Sequence, residues 1–133
     1  MNGKRWNRST TTVYNIGYHL IWCPKYRCKV LVGEVAERLR KLLLQKANEI
    51  QVEIAQMEIV SDHVHLFVKT PPTNSPHFIV QQLKGYTSRM LREKFPFLKS
   101  RLPSLWTRSY YCESVEHISE EAICKYIEEQ KNK

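Results

Sequence analysis

Long apolar runs are missing from this sequence. Stretches such as LVG at 31 to 33 and LLL at 42 to 44 are far shorter than the roughly 20 apolar residues a bilayer-spanning helix needs. The start, MNGKRWNRSTTTVYN, is polar and basic; it has no apolar core of the signal-peptide kind, so no secretory signal is expected. Neither GxxxxGK[ST] nor GxGxxG occurs, which removes the usual phosphate-cradling loops and any expectation of an ATP-driven reaction. Four cysteines are present, Cys23, Cys28, Cys112 and Cys124, and their spacing fits no zinc pattern because nothing pairs with Cys23 and Cys28 to complete four ligands. They are expected to be reduced and mostly buried. Acidic residues are also short, 13 against 21 Lys and Arg, for a formal charge of +8. That balance suits a polyanionic partner, most often nucleic acid. No basic amphipathic helix beside apolar anchors stands out, so a membrane surface is not the expected partner.

With 42% hydrophobic residues the chain can build an ordinary core, and its length suits one domain over residues 1–133. Residues 1–11 read as a basic arm. VYNIGYHLIWC, 13 to 23, is β-branched and aromatic and stops at Pro24, so a strand is expected. KYRCKVL, 25 to 31, is a basic turn or a short second strand. Residues 34 to 50 place Val35, Leu39, Leu42, Leu43 and Ile50 at helical spacing among strong helix formers. Residues 52 to 60 alternate at period two, with the buried face undecided. Ser61 and Asp62 turn the chain, and 63 to 69 return as the second strand of a hairpin.

The next helix should be capped by Ser75, begin at Pro76 and reach about Lys94, with Phe78, Ile79, Leu83, Tyr86, Met90 and Leu91 as its apolar stripe. FPFLKSRLP is expected as loop and LWTRSYYCESV, 105 to 115, as the last strand. Ser119, followed by Glu120 and Glu121, should open a terminal helix over 119–133, with acidic residues at its positive end. The order is β-α-β-β-α-β plus one helix. It implies an α+β, ferredoxin-like (RRM-like) antiparallel sheet, helices on one face, the other face open, and both hairpin strands central.

Two of the five histidines stand in SDHVHLFVKT, 61 to 70. On a strand His63, His65 and Phe67 share one face, and Val64, Leu66 and Val68 the other. An open sheet that shows aromatics on a basic protein is one way to hold single-stranded nucleic acid. The imidazoles are either two exposed side chains or half of a divalent-cation site. Tyr126 and Gln130, four apart, share a face of the last helix. They are either part of a packing stripe and a solvated amide, or a phenol beside an amide ligand.

Taken together these segments resemble the single-tyrosine HUH transposases of small insertion sequences that move as single-stranded DNA. The resemblance runs through YHLIWCPKYR at 18 to 27, SDHVHLFV at 61 to 68, QQLKGYTSRML at 81 to 91, LWTRSYY at 105 to 111 and KYIEEQ at 125 to 130. It implies Tyr126 as the nucleophile on the terminal helix, and His63, His65 and Gln130 as holders of Mg2+ or Mn2+; imidazole donors suit Mn2+ better. It implies cleavage and rejoining of single-stranded DNA through a 5′-phosphotyrosine. The DNA would carry hairpins near the element's ends, and a homodimer would complete its sites in trans. It also implies a cytoplasmic, prokaryotic protein, at the nucleoid while acting. The link ESVEHISEE lacks the glycine expected between last strand and last helix, which points to a stiffer connection. Asp62 is expected as a turn residue or as a supporting group behind the histidines. Lys25, Tyr26 and Arg27 in the basic turn, and Lys84, Arg89 and Arg92 on the second helix, are the candidate DNA contacts. His19 and His117 are expected to be structural, and Trp106, Tyr110 and Tyr111 to pack more than to stack on bases. A non-catalytic single-strand-binding module and a nicking relaxase or replication-initiator relative are the alternatives.

Overall fold

A computed structural model describes residues 7 and 8, 13 and 14, and 16 to 116 of the chain. The terminal helix expected over 119–133 lies outside them, with Tyr126, Gln130, Cys124 and His117, as does most of the arm expected over 1–11. Within that arm, Asn7–Arg8 (β1) pairs with Val13–Tyr14 (β2) as a two-residue ladder.

The main sheet has four antiparallel strands: Ile16–Trp22 (β3), Glu53–Val60 (β4), His63–Lys69 (β5) and Tyr111–Glu116 (β6), in the order β4-β5-β3-β6. This is the expected ferredoxin-like arrangement. One detail differs: only β5 of the hairpin is central, because β3 pairs with its far side and leaves β4 at the edge. The helices Gly33–Glu49 (α1) and Pro76–Lys94 (α2) share one core with Leu20, Trp22, Val64, Leu66 and Val68. α2 starts where expected, since the Ser75 hydroxyl accepts the Phe78 N–H at 3.0 Å and Pro76 needs no donor there. Among the described residues no helix is long and apolar enough to cross a membrane.

The undecided face of β4 has a local cause. Pairing runs Ile54 with Val68, then Gln56 with Phe67, so Ala55 is an extra residue in the ladder. A bulge of this kind swaps the alternation. Ile54, Met57 and Ile59 therefore pack against the core, although no single period-two set contains all three.

Other expectations shift for equally local reasons. Pro96–Arg101 (α3) is a short helix inside the expected loop. Proline at its first position suits a helix start, and Leu98 is buried beneath it. Phe78, expected in the α2 stripe, is exposed, whereas Thr87 is buried. The Thr87 hydroxyl donates to the Leu83 carbonyl at 2.7 Å and accepts the Trp106 indole N–H at 3.1 Å.

The last strand begins at Tyr111, not 105, because Leu105 and Trp106 turn into the core. Trp106 meets Trp22 edge-on at 5.9 Å and forms an isolated bridge with Pro24. The neighbouring backbone locks this segment to the basic turn: Lys25 N–H to Leu105 O, 2.8 Å, and Thr107 N–H to Cys23 O, 3.0 Å.

Gly17 has a packing role. A Cβ there would lie 2.8 Å from Cζ of Phe67, whose ring covers the glycine across the strand pair. Gly17→Val should lower stability by about 1–3 kcal/mol through overpacking, read as a lower thermal unfolding midpoint. An unchanged midpoint would show that the Phe67 ring moves aside freely.

Candidate active site on the open sheet face

Strand pairing sets which side chains stand together. His65 lies opposite Ile21 on β3 and Glu58 on β4, and His19 lies opposite Phe67 and Glu113. Directly opposed residues share a face. The face away from α1 and α2 therefore carries His19, Ile21, Glu58, His63, His65, Phe67, Tyr111 and Glu113. An open cleft of about 630 Å3 runs over it, bordered by His19, His63, His65, Glu58, Tyr111 and Arg27 among others. The two histidines of the HxH stretch do share a face, as expected.

Phe67 shares that face but is not displayed, being only 1% exposed. Alternation assigns a side chain to a face; it does not say whether the face is covered there.

Asp62 is both turn residue and support. Its Oδ1 accepts from His63 Nδ1 at 2.9 Å, and its Oδ2 accepts from Arg27 Nη2 at 2.9 Å. The His63 bond first, and Arg27 after it, hold the Asp62 carboxyl below the usual carboxylate range. A carboxylate can only accept, so His63 Nδ1 is the donor in this bond, and Nε2 is the ring nitrogen not used by Asp62. Arg27 is largely exposed, so this ion pair adds little stability of its own; its effect is to tie the basic turn to the histidine strand.

His19 is the residue that sequence reasoning set aside. It is buried, and its Nε2 lies 2.8 Å from His65 Nε2, with the rings edge to face at 4.2 Å. Burial chiefly, and the neighbouring His65 next, push its pKa down to about 4, against an upward pull from Glu113. At neutral pH it is therefore an uncharged imidazole. The sequence held the signal: Tyr18, Leu20 and Trp22 form the apolar set of the strand, so His19 had to face the way His65 does. On the other side of His65, the Glu58 carboxylate stands 3.8 Å from Nδ1.

Tyr111 places an exposed phenol at the same cleft. Its hydroxyl donates to Glu113 at 2.9 Å, which raises its pKa above the ordinary tyrosine value. Held protonated by a carboxylate, this oxygen is a poor nucleophile.

The remaining candidates are spread over the fold. Lys25, Tyr26 and Arg27 form a 3₁₀ turn at the cleft's rim. Lys84 donates to the carbonyls of Thr107, at 2.6 Å, and Ser109, at 3.2 Å; burial lowers its pKa, and its ammonium braces the approach to β6. Arg89 and Arg92 border a second cleft of about 380 Å3 with Ser88, Glu93 and Lys99, on the helix layer and so across the sheet from His63. Trp106 is core, and Tyr110 packs beside His77, its hydroxyl 3.1 Å from Nδ1.

The donor set suits a divalent ion in part. Two imidazoles and a nearby carboxylate are appropriate chemistry, yet no group of three or more His, Cys, Asp or Glu side chains among the described residues forms a complete metal site.

Comparison with known proteins agrees with the fold. Residues 12–130 match the family of IS200-like transposases. The chain is 42% identical over 123 residues to the ISDra2 transposase TnpA of Deinococcus radiodurans, covering 91% of this chain and 88% of that protein. It is 33% identical over 106 residues to the transposase for insertion sequence element IS200 of Salmonella typhimurium, covering 78% and 70%. Among solved structures, a candidate transposase from Deinococcus radiodurans superposes with a TM-score of 0.77 at 36% identity, over 93% of this chain and 97% of that one. A REP-associated tyrosine transposase bound to a REP hairpin shares the fold, with a TM-score of 0.62 at 10% identity, over 91% and 67%.

Proposed function

This chain belongs to the IS200-like transposases, and on that premise we propose that it cuts and rejoins single-stranded DNA through a tyrosyl ester formed beside a divalent cation. The observation that carries the reading is the His63–His65 pair on the uncovered sheet face, with His63 already oriented by Asp62. Tyr126 is the proposed nucleophile. Its oxygen attacks the scissile phosphorus, the bond from phosphorus to the 3′ oxygen breaks, and the phenol's proton is lost as the departing 3′ oxygen gains one. The products are a 5′-phosphotyrosine and a free 3′-OH. A 3′-OH of another strand reverses the step and releases the phenol, so the ester conserves the bond and no ATP is required.

His63, His65 and Gln130 would hold the ion, Mg2+ or Mn2+. When bound it would polarise the phosphate oxygens and offset the weak nucleophilicity of a phenol with a free pKa of about 10. The proposed substrate is single-stranded DNA with hairpins near its ends, bound by a homodimer in which each helix bearing Tyr126 completes the partner's site. The nicking relative is the other reading. A transposase joins two cleaved ends and a nicking enzyme does not, so the formation of strand-joined product from two labelled oligonucleotides in Mn2+ tests the proposal directly. Cleavage without joining would favour the relative.

Asp62 and His19 are the proposed positioning residues, because each holds an imidazole by its ring nitrogen. Asp62→Ala and His19→Phe should each weaken Mn2+ binding by about 10–100-fold, measured by calorimetry on the protein without DNA. Wild-type affinity in both variants would show that the two ring orientations are fixed by packing alone.

A further inference from the structure

The turn after β3 holds two non-glycine residues in a strained backbone conformation. Tyr26 has φ 59° and ψ 18°, and Arg27 has φ 50°. Two successive non-glycine residues in the left-handed region are unfavourable, and such positions persist only where their surroundings over-determine them. Here they do. Lys25 N–H is bound by Leu105 O, Arg27 N–H by Pro24 O and Cys28 N–H by Lys25 O. Pro24 bridges to Trp106, and Arg27 is tied to Asp62.

The ring held by this turn does nothing for the core. Tyr26 is 70% exposed, the highest value among the exposed large hydrophobics of the described residues. The Lys25 ammonium stands 5.5 Å from the ring centroid, and the next residue, Arg27, lines the cleft with His63 and His65.

We propose that Tyr26 is a stacking platform for an unpaired DNA base at the edge of the active-site cleft, with Lys25 and Arg27 meeting the phosphates beside that base. This rests on the reading that the cleft handles single-stranded DNA. The chemistry is selective for an unpaired strand, since a base inside a duplex has both faces stacked already. Every base offers a π-face, so the contact places the strand without reading its sequence. Lys25 adds a cation to the stack. Arg27 commits one terminal nitrogen to Asp62 and keeps further donors of its guanidinium for a phosphate. The strained backbone is what points the ring outward: a glycine would relax the turn and remove the platform.

Mixed-sequence single-stranded DNA with one 2-aminopurine, moved position by position, tests this in EDTA, where no chemistry occurs. Wild-type protein should quench the fluorophore, and Tyr26→Ala should lose that quenching and bind about tenfold or more weakly. Tyr26→Phe should behave as wild type, because the ring and not the hydroxyl is used. Tyr26→Gly should bind as poorly as the alanine variant, yet unfold at a temperature no lower than wild type. Quenching retained by Tyr26→Ala, Tyr26→Phe as weak as Tyr26→Ala, or a lower unfolding midpoint for Tyr26→Gly would each overturn the proposal. A wild-type protein that quenches but forms no DNA adduct in Mn2+ would instead sink the tyrosyl-ester reading and leave the platform standing.

Discussion

Replacing Tyr126 with phenylalanine should abolish the covalent protein–DNA adduct while leaving DNA binding nearly intact. Only one oxygen is removed, so the substitution changes the side chain's bulk very little. Without that oxygen no ester can form, and removal of a covalent nucleophile lowers turnover by at least about a thousandfold. The measurement is denaturing electrophoresis of labelled single-stranded hairpin DNA incubated with protein and Mn2+, beside a binding titration of the same oligonucleotide. Tyr111→Phe is the informative companion. Its phenol also borders the cleft, but Glu113 keeps it protonated, so this variant should form adduct as wild type does. Adduct surviving in Tyr126→Phe and vanishing in Tyr111→Phe would move the chemistry to β6.

Losing either imidazole should be nearly as severe. His63→Ala and His65→Ala each remove a nitrogen donor from a site that would have only a few protein ligands. Cleavage should fall by about a hundredfold or more, because charge on the transferring phosphoryl group is then less stabilised. Chelation of the wild type by EDTA should give the same loss, reversed by Mn2+. Calorimetry without DNA separates binding from chemistry: both variants should show little heat with Mn2+. Because both side chains lie on the open face of β5 and outside the main core, at 31% and 10% exposure, neither truncation should unfold the protein. A variant that still binds Mn2+ with wild-type affinity would show that its histidine is no ligand.

Much of this architecture could be read from residue order. Ser75-Pro76 marked a helix start by its own chemistry, and the valine-leucine alternation around His63 and His65 fixed their face. What escaped reading was of two kinds. Some depended on partners distant in sequence: Trp106 looked like strand and became core because Trp22 and Thr87 receive it, and Phe67 looked displayed although it is buried over Gly17. His19 belonged to the same kind, since its meaning appears only when β3 is laid beside β5. The rest depended on a single irregular residue, as in β4 and in the left-handed turn at Tyr26, where no glycine announced the conformation. For Tyr126 and Gln130 the motif remains the only guide to their role.

The supernumerary residue in β4 has a consequence for how this protein can change. Deleting Ala55 would leave Ile54, Gln56, Met57, Glu58 and Ile59 in strict alternation, so the regular ladder would keep Ile54, Met57 and Ile59 on the core side and Glu58 opposite His65. Losing Met57 instead would hand its core position to Gln56 or Glu58 and carry a polar side chain into oil. A lineage could lengthen the turn at 61 and 62, trade one aliphatic for another or shed the extra residue, but the codon for Met57 is closed to loss.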